Sequence, residues 1–156
     1  MSALKVKAYF EKIGATEQIL EFPVSSATVA LAAEALGCEP ARIAKSLTFK
    51  DGEEGCIMVV AAGDTKVDNA KFKETFHMKA KMPSFDEVEA LCGYAAGGVC
   101  PFDVKENVKV YLDTSLKRFK TVFPACGSSN TAVELSIEKL EEYSKYISYV
   151  DVCKMI

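Results

Sequence analysis

A chain of 156 residues, 49% hydrophobic and 26% charged, has the make-up of one soluble domain, expected to span residues 1–156 and to bury roughly two thirds of its unfolded surface. Its formal net charge of −3 gives no general attraction to a polyanion, which argues against DNA or a long RNA tract as partner and leaves room only for contact with one nucleic-acid end. No apolar run approaches the ~20 residues of a membrane span, and the charged opening Met1-Ser2-Ala3-Leu4-Lys5 carries no leader core, so no membrane partner and a cytoplasmic location are expected.

Cys38, Cys56, Cys92, Cys100, Cys126 and Cys153 are scattered without a C-x-x-C pair, and His77 is the one histidine. That spacing argues against a zinc site and against a disulfide framework, so no metal and no cofactor is expected and most of these residues read as core thiols.

In chain order, Leu4, Ala8, Tyr9 and Ile13 share one helical stripe that ends at Gly14. Residues 18–24 carry Ile19, Leu20 and Phe22 before Pro23 and read as a short extended piece. Ser25-Ser26 is placed to cap a helix over 28–36, which stops at Gly37. Pro40 then opens a turn into a strand. The run 56–62 is apolar on both faces, as in a central strand, and the loop 51–55 joins the two as a hairpin. Asp68 caps a helix over 69–76, and Ser84-Phe85-Asp86-Glu87 has the form of a capping box for a helix over 85–92. Strands follow at 108–112 and 131–135, then a helix over 137–146 capped by Ser136, then a last strand at 148–152. Hairpins, long crossovers and helices interleave, which predicts an α+β domain around a curved, mixed, mostly antiparallel sheet or barrel-like core with surrounding helices.

The stretch that stands out is the strand after Pro40. At a period of two, Ile43, Leu47 and Phe49 fall on an apolar side, and Lys45 falls with them. An ammonium entering a buried face needs an anionic or carbonyl partner, unless it sits at the strand's entry and snorkels to solvent. Two small-residue loops are the other feature. Gly97-Gly98-Val99-Cys100-Pro101 lacks the side chains that would hold a ligand off the main chain, and so does Ala125-Cys126-Gly127; a ligand-free tight turn has the same pattern. No carboxylate pair, Ser-His-Asp set or phosphate-binding G-x-x-x-x-G-K is present, so any catalysis rests on positioning and on one ammonium with backbone amides around a carbonyl. That arrangement suits an activated ester and serves an amide poorly.

Taken together, Pro40-x-Arg42-x-x-Lys45, Gly97-Gly98-x-x-Pro101 and the Gly127 loop leading to Val133-Glu134-Leu135 resemble the YbaK family of aminoacyl-tRNA editing domains, over residues 21–142. That family includes Cys-tRNA(Pro) and Ala-tRNA(Pro) deacylases and the editing insertion of prolyl-tRNA synthetase. The resemblance implies translation quality control by an aminoacyl-tRNA hydrolase. Its pocket would admit the acceptor end of a mischarged tRNA, with an aminoacyl-tRNA synthetase as a further partner by analogy. It implies catalytic roles for Lys45 and for the amide of Gly98, and a substrate-binding set of Thr28, Ser46, Gly97, Val99, Cys100, Pro101, Ala125, Cys126 and Gly127. Cys100 stands where many members carry serine, Ala125-Cys126-Gly127 replaces their Ser-Gly-Gly, and Thr28 or Val29 replaces a family phenylalanine.

Lys71, Lys73, Lys117 and Arg118 read either as weak contacts to the tRNA backbone or as solvated surface. Two rival functions remain on the residues alone. One is a non-catalytic module that binds an aminoacyl-tRNA end or a nucleotide; the other is a thiol enzyme using Cys100 or Cys126.

Overall fold

The computed structural model describes residues 2–156. Met1, at the head of the charged opening segment, lies outside the described residues. Helix α1 (Ser2–Ile13) is followed by the short strand β1 (Leu20–Glu21) and helix α2 (Val29–Leu36). A 3-10 turn (Pro40–Arg42) leads into β2 (Ile43–Asp51), which forms a hairpin with β3 (Gly55–Ala62). Next come β4 (Thr65–Val67), α3 (Asn69–Phe76), α4 (Val88–Cys92) and β5 (Val108–Asp113). A second 3-10 turn (Thr114–Arg118) precedes β6 (Thr121–Pro124), β7 (Thr131–Ala132), β8 (Leu135–Ser136), α5 (Ile137–Ser144), β9 (Ser148–Val150) and β10 (Cys153–Met155).

The main sheet has six strands in the order β8-β6-β2-β3-β5-β9, with β1-β7 and β10-β4 as small flanking pairs. The α+β architecture read from the sequence is the one found, and the sheet curls into a half-barrel. The β2–β3 hairpin supplies its longest ladder, from Ala44↔Ala62 to Asp51↔Gly55. The β2–β6, β3–β5 and β5–β9 pairings are parallel. Parallel neighbours need long crossovers, and the helices and irregular segments between β3 and β5 and between β5 and β9 provide them.

Strand β3 is buried almost throughout because both faces carry a core. Met58, Val60 and Ala62 face the larger one, with Val6 and Phe10 of α1, Val110 and Leu112 of β5, and Leu140 and Tyr143 of α5. Ile57, Val59 and Ala61 face a second core under α3, with Phe49, Phe72, Val152 and Cys153. A third, small cluster sets Ala32 and Ala33 of α2 against Ile43 and Phe123.

Several local readings change. Thr28, not Ser25 or Ser26, caps α2, its side chain accepting from the Leu31 N–H. The two serines instead donate to the carbonyl of Ser129. In the Ser84–Glu87 box only the glutamate arm forms, Glu87 Oε1 accepting the Ser84 N–H at 2.9 Å, and the helix starts at Val88. The strand expected over 131–135 is interrupted at Val133 and Glu134: β7 pairs with β1 and bridges Ala125, and β8 pairs with β6 in the same antiparallel register. Strands β4 and β10 were not legible: each has three residues, and they pair only with each other.

Candidate active site

Strand β2 changes partners along one edge, and the opening is there. Strand β6 pairs with it only at Ile43↔Phe123 and Ala44↔Pro124; Pro124 has no N–H to continue a ladder, and the chain leaves toward the loop 125–130. Farther along, the Lys50 N–H is taken by the carbonyl of Lys81 at 2.7 Å. Strand parity therefore directs the main-chain groups of Ser46 and Thr48 to the uncovered edge between these two points. A cavity of about 240 Å³ opens at that edge, lined by residues 43–48 of β2, by Thr28, Val29 and Ala32 at the start of α2, and by Gly97, Val99, Phe123, Ala125 and Thr131.

Lys45 enters this cavity half-buried, on the β2 face that carries Phe49 and the second core. Its Nζ donates to the carbonyl of Thr65, the first residue of β4. Of the two partners the sequence allowed, the carbonyl is the one found. Burial holds the Lys45 amine below the ordinary lysine range, partly countered by the negative charge of Asp64. Thr65 is buried and its Oγ1 donates to the carbonyl of Ala62 at 2.7 Å, so the carbonyl that holds Lys45 is itself fixed. Beside Lys45, the Oγ of Ser46 is buried with no hydrogen-bond partner among the described residues. A hydroxyl left so is an unused donor and acceptor in the cavity wall.

The opposite wall is made of three loops joined backbone to backbone. The Ser26 N–H donates to the carbonyl of Ser129 at 2.6 Å, and the Phe22 N–H to the carbonyl of Asn130 at 2.8 Å. Gly97 has φ 92°, and a Cβ there would come to 3.2 Å from that of Ala27. At Gly98 a Cβ would lie 2.7 Å from the Gly127 carbonyl carbon and from Ser128 N and Cα. Only glycine lets these loops meet. The Gly98 N–H, expected to point at a substrate carbonyl, donates to the carbonyl of Ala95 at 3.0 Å.

Of the residues singled out in the sequence, Lys45, Thr28, Ser46, Gly97, Val99 and Ala125 line the cavity; Gly98, Cys100, Pro101, Cys126 and Gly127 are buried and do not line it. Cys100 and Cys126 have no exposed surface, and burial pushes the Cys100 thiol up to about 12 and raises that of Cys126 as well. A nucleophilic thiol needs the opposite environment, cationic and accessible, so the thiol-enzyme reading loses its physical basis. Val29, Phe123 and Thr131 were missed as wall residues because long separations in sequence bring them together, and Asp64 and Thr65 because the strand β4 was missed.

Four cations were marked as tRNA contacts. Lys71 bonds Asp151 at 3.0 Å and the carbonyl of Cys153 at 3.1 Å. Lys117 lies 4.0 Å over the ring of Tyr149. Arg118 grips Asp64 through two bonds of 2.6 and 2.9 Å, and Lys73 is exposed on α3. None of the four lines the cavity. Among the described residues no group of three or more His, Cys, Asp or Glu is arranged to hold a metal, and no helix is long and apolar enough to cross a membrane.

The sequence pattern of the aminoacyl-tRNA editing domain family matches residues 24–143, a span that contains Lys45, both small-residue loops and every wall of the cavity. The chain belongs to that family. It is 49% identical over 154 residues to YwhH of Bacillus subtilis, an uncharacterised protein, covering 99% of this chain and 98% of that one. A candidate Cys-tRNA(Pro)/Cys-tRNA(Cys) deacylase of Enterococcus faecalis, EbsC, is 28% identical over 109 residues, 69% of this chain and 66% of its own. Among solved structures, a candidate trans-editing enzyme for prolyl tRNA synthetase superposes with a TM-score of 0.87 at 28% identity, covering 98% of this chain and 97% of that one.

Proposed function

We propose that this chain acts as one trans-editing domain in the cytoplasm, hydrolysing the ester of a mischarged tRNA of the Cys-tRNA(Pro) or Ala-tRNA(Pro) kind. The observation that carries the reading is a half-buried lysine, held by a single carbonyl, in the wall of a small and mostly apolar cavity. At about 240 Å³ the cavity is below the ~300–1,000 Å³ of sites for drug-sized ligands, so it takes a small aminoacyl group with its ribose ester and leaves the bases outside.

An ammonium has three donors and Thr65 takes one, leaving Lys45 able to hold the ester carbonyl or a ribose or phosphate oxygen. Negative charge develops on the carbonyl oxygen as water attacks, and a positive group in a partly dry site stabilises it. The bond between carbonyl carbon and ribose oxygen then breaks, the ribose hydroxyl regains its proton and the amino acid leaves. Ser46 Oγ and the backbone around Gly97 and Val99 hold the polar atoms of the aminoacyl group, while Val29, Ile43, Leu47 and Phe123 set its size. One methylene in such a wall discriminates by about 1–3 kcal/mol, enough for preference and short of absolute selection.

With a net charge of −3 and the marked cations partly engaged in internal pairs, the tRNA is gripped at its acceptor end, with a synthetase as the further partner. The test is single-turnover release of amino acid from a panel of mischarged and correctly charged tRNAs. Faster release than in buffer from at least one mischarged tRNA(Pro) is expected. If no tRNA is deacylated while acceptor ends still bind, the chain is a binding module.

A further inference from the structure

Lys45 depends on a short turn that the family motifs do not include. Its Nζ donates to the carbonyl of Thr65, and Thr65 follows directly on the turn Gly63-Asp64 that ends β3. The 3-10 turn 114–118 holds that corner from one side. Asp113, almost fully buried, anchors the 3-10 turn: one carboxylate oxygen accepts the Ser115 N–H at 2.9 Å and the other the Val152 N–H at 3.0 Å. Ser115 Oγ then accepts the Ala62 N–H at 3.1 Å, one residue before the corner. Arg118, its Nε tied to the carbonyl of Ser115 at 2.9 Å, closes on the Asp64 carboxylate with both terminal nitrogens. From the other side the Ile156 N–H donates to the carbonyl of Asp64 at 3.1 Å.

We propose that Asp64 and Arg118 are a positioning pair for Lys45: their fork fixes the corner whose Thr65 carbonyl receives the ammonium. Asp64 and Arg118 act through Lys45 without touching the substrate, which gives Arg118 a role other than gripping tRNA. The titratable groups that act on the Lys45 charge are Asp64, next to Thr65 at the corner, and Cys153, on the strand β10 that pairs with β4. Burial pushes the Cys153 thiol up to about 12, so it carries no charge at neutral pH and Asp64 supplies the negative charge there. Hydrogen bonds from Arg118 hold Asp64 below the usual carboxylate range, keeping it ionised wherever the protein works. A planar guanidinium with two parallel bonds fixes a carboxylate in a way a point charge does not.

The inference rests on the deacylase reading for its kinetic readout, and a second readout is independent of it. Titrating the Lys45 side chain by NMR in lysine-labelled protein, Asp64→Asn is expected to lower its midpoint, since a nearby negative charge is gone. Single-turnover deacylation by the same variant is expected to fall roughly tenfold with substrate affinity within twofold, its alkaline limb moving down with the midpoint. Asp64→Glu should restore most of both. Arg118→Gln should lose a similar factor in rate, and Arg118→Lys, with the charge but not the fork, should recover only part. A folded Asp64→Asn protein whose Lys45 titrates as in the parent overturns the proposal. Should Asp64→Asn not fold, Arg118→Gln with the parent's rate overturns it instead. If the parent itself hydrolyses nothing, the deacylase reading fails and the Lys45 midpoint alone judges the pair.

Discussion

The two walls of the cavity are built on opposite terms. On the loop side, residues 97–99, 127–130 and 25–28 are closed against one another by backbone contacts, their marked amide is already bonded, and the thiols behind them are sealed. On the strand side, β2 leaves an edge uncovered, Ser46 Oγ has no partner among the described residues, and Lys45 is half out of water and hydrogen-bonded to the Thr65 carbonyl. A wall closed by its own backbone contacts supplies mainly shape; a wall with donors in reserve supplies chemistry. The glycine loop is thus the mould and the strand the reactive side.

The sharpest way to break this division is Lys45→Ala. Removing one charge-stabilising donor costs about 100- to 1,000-fold in rate, and deacylation should fall by that much while thermal unfolding shows a folded protein. Next in size is the loop wall. A Cβ on Gly98 meets backbone atoms of Gly127 and Ser128 at 2.7 Å, so Gly98→Ala should lower stability by about 1–3 kcal/mol in denaturant melts and reduce activity by parting the loops. Lys45→Ala should do the reverse, sparing stability and removing activity. If both variants lose stability and activity in proportion, the two walls do not divide their roles.

Ser46→Ala is a smaller and more pointed test. Deleting a buried hydroxyl without a partner should leave the empty protein as stable as the parent or up to about 1 kcal/mol more stable, because an unmet donor is removed. The same change should weaken substrate binding several-fold. A loss of stability would mean that Ser46 serves the fold. Smallest of all is the expected effect of thiol alkylation under native conditions: with Cys100 and Cys126 sealed, the deacylation rate should stay within twofold of the untreated protein.

The strand side was legible in the sequence because a lysine on an apolar face breaks the period-two pattern, and such a break carries information in any strand. The α+β architecture, the β2–β3 hairpin and the Asp68 and Ser136 caps were legible for the same reason, each resting on a few consecutive residues. The edge that opens the cavity was not. It depends on β6 leaving β2 at Pro124, about 80 residues away in sequence, and on Lys81 covering Lys50. The part Gly98 plays in joining the loops was not legible, because glycine that lets a ligand approach and glycine that lets another loop approach look alike until both loops are placed. Arg118 was read as a weak tRNA contact or solvated surface, and only the fold brings it to Asp64.

The most direct measurement follows the Lys45 side chain by NMR while a stable, amide-linked analogue of the tRNA's aminoacylated terminal adenosine is added. The Lys45 and Ser46 signals should move together and saturate with the analogue, as the ammonium turns part of its bonding from Thr65 to the ligand, and adenosine without the aminoacyl group should move them less. Saturable binding of the analogue that leaves Lys45 and Ser46 where they stand in the free protein would contradict a strand-side site.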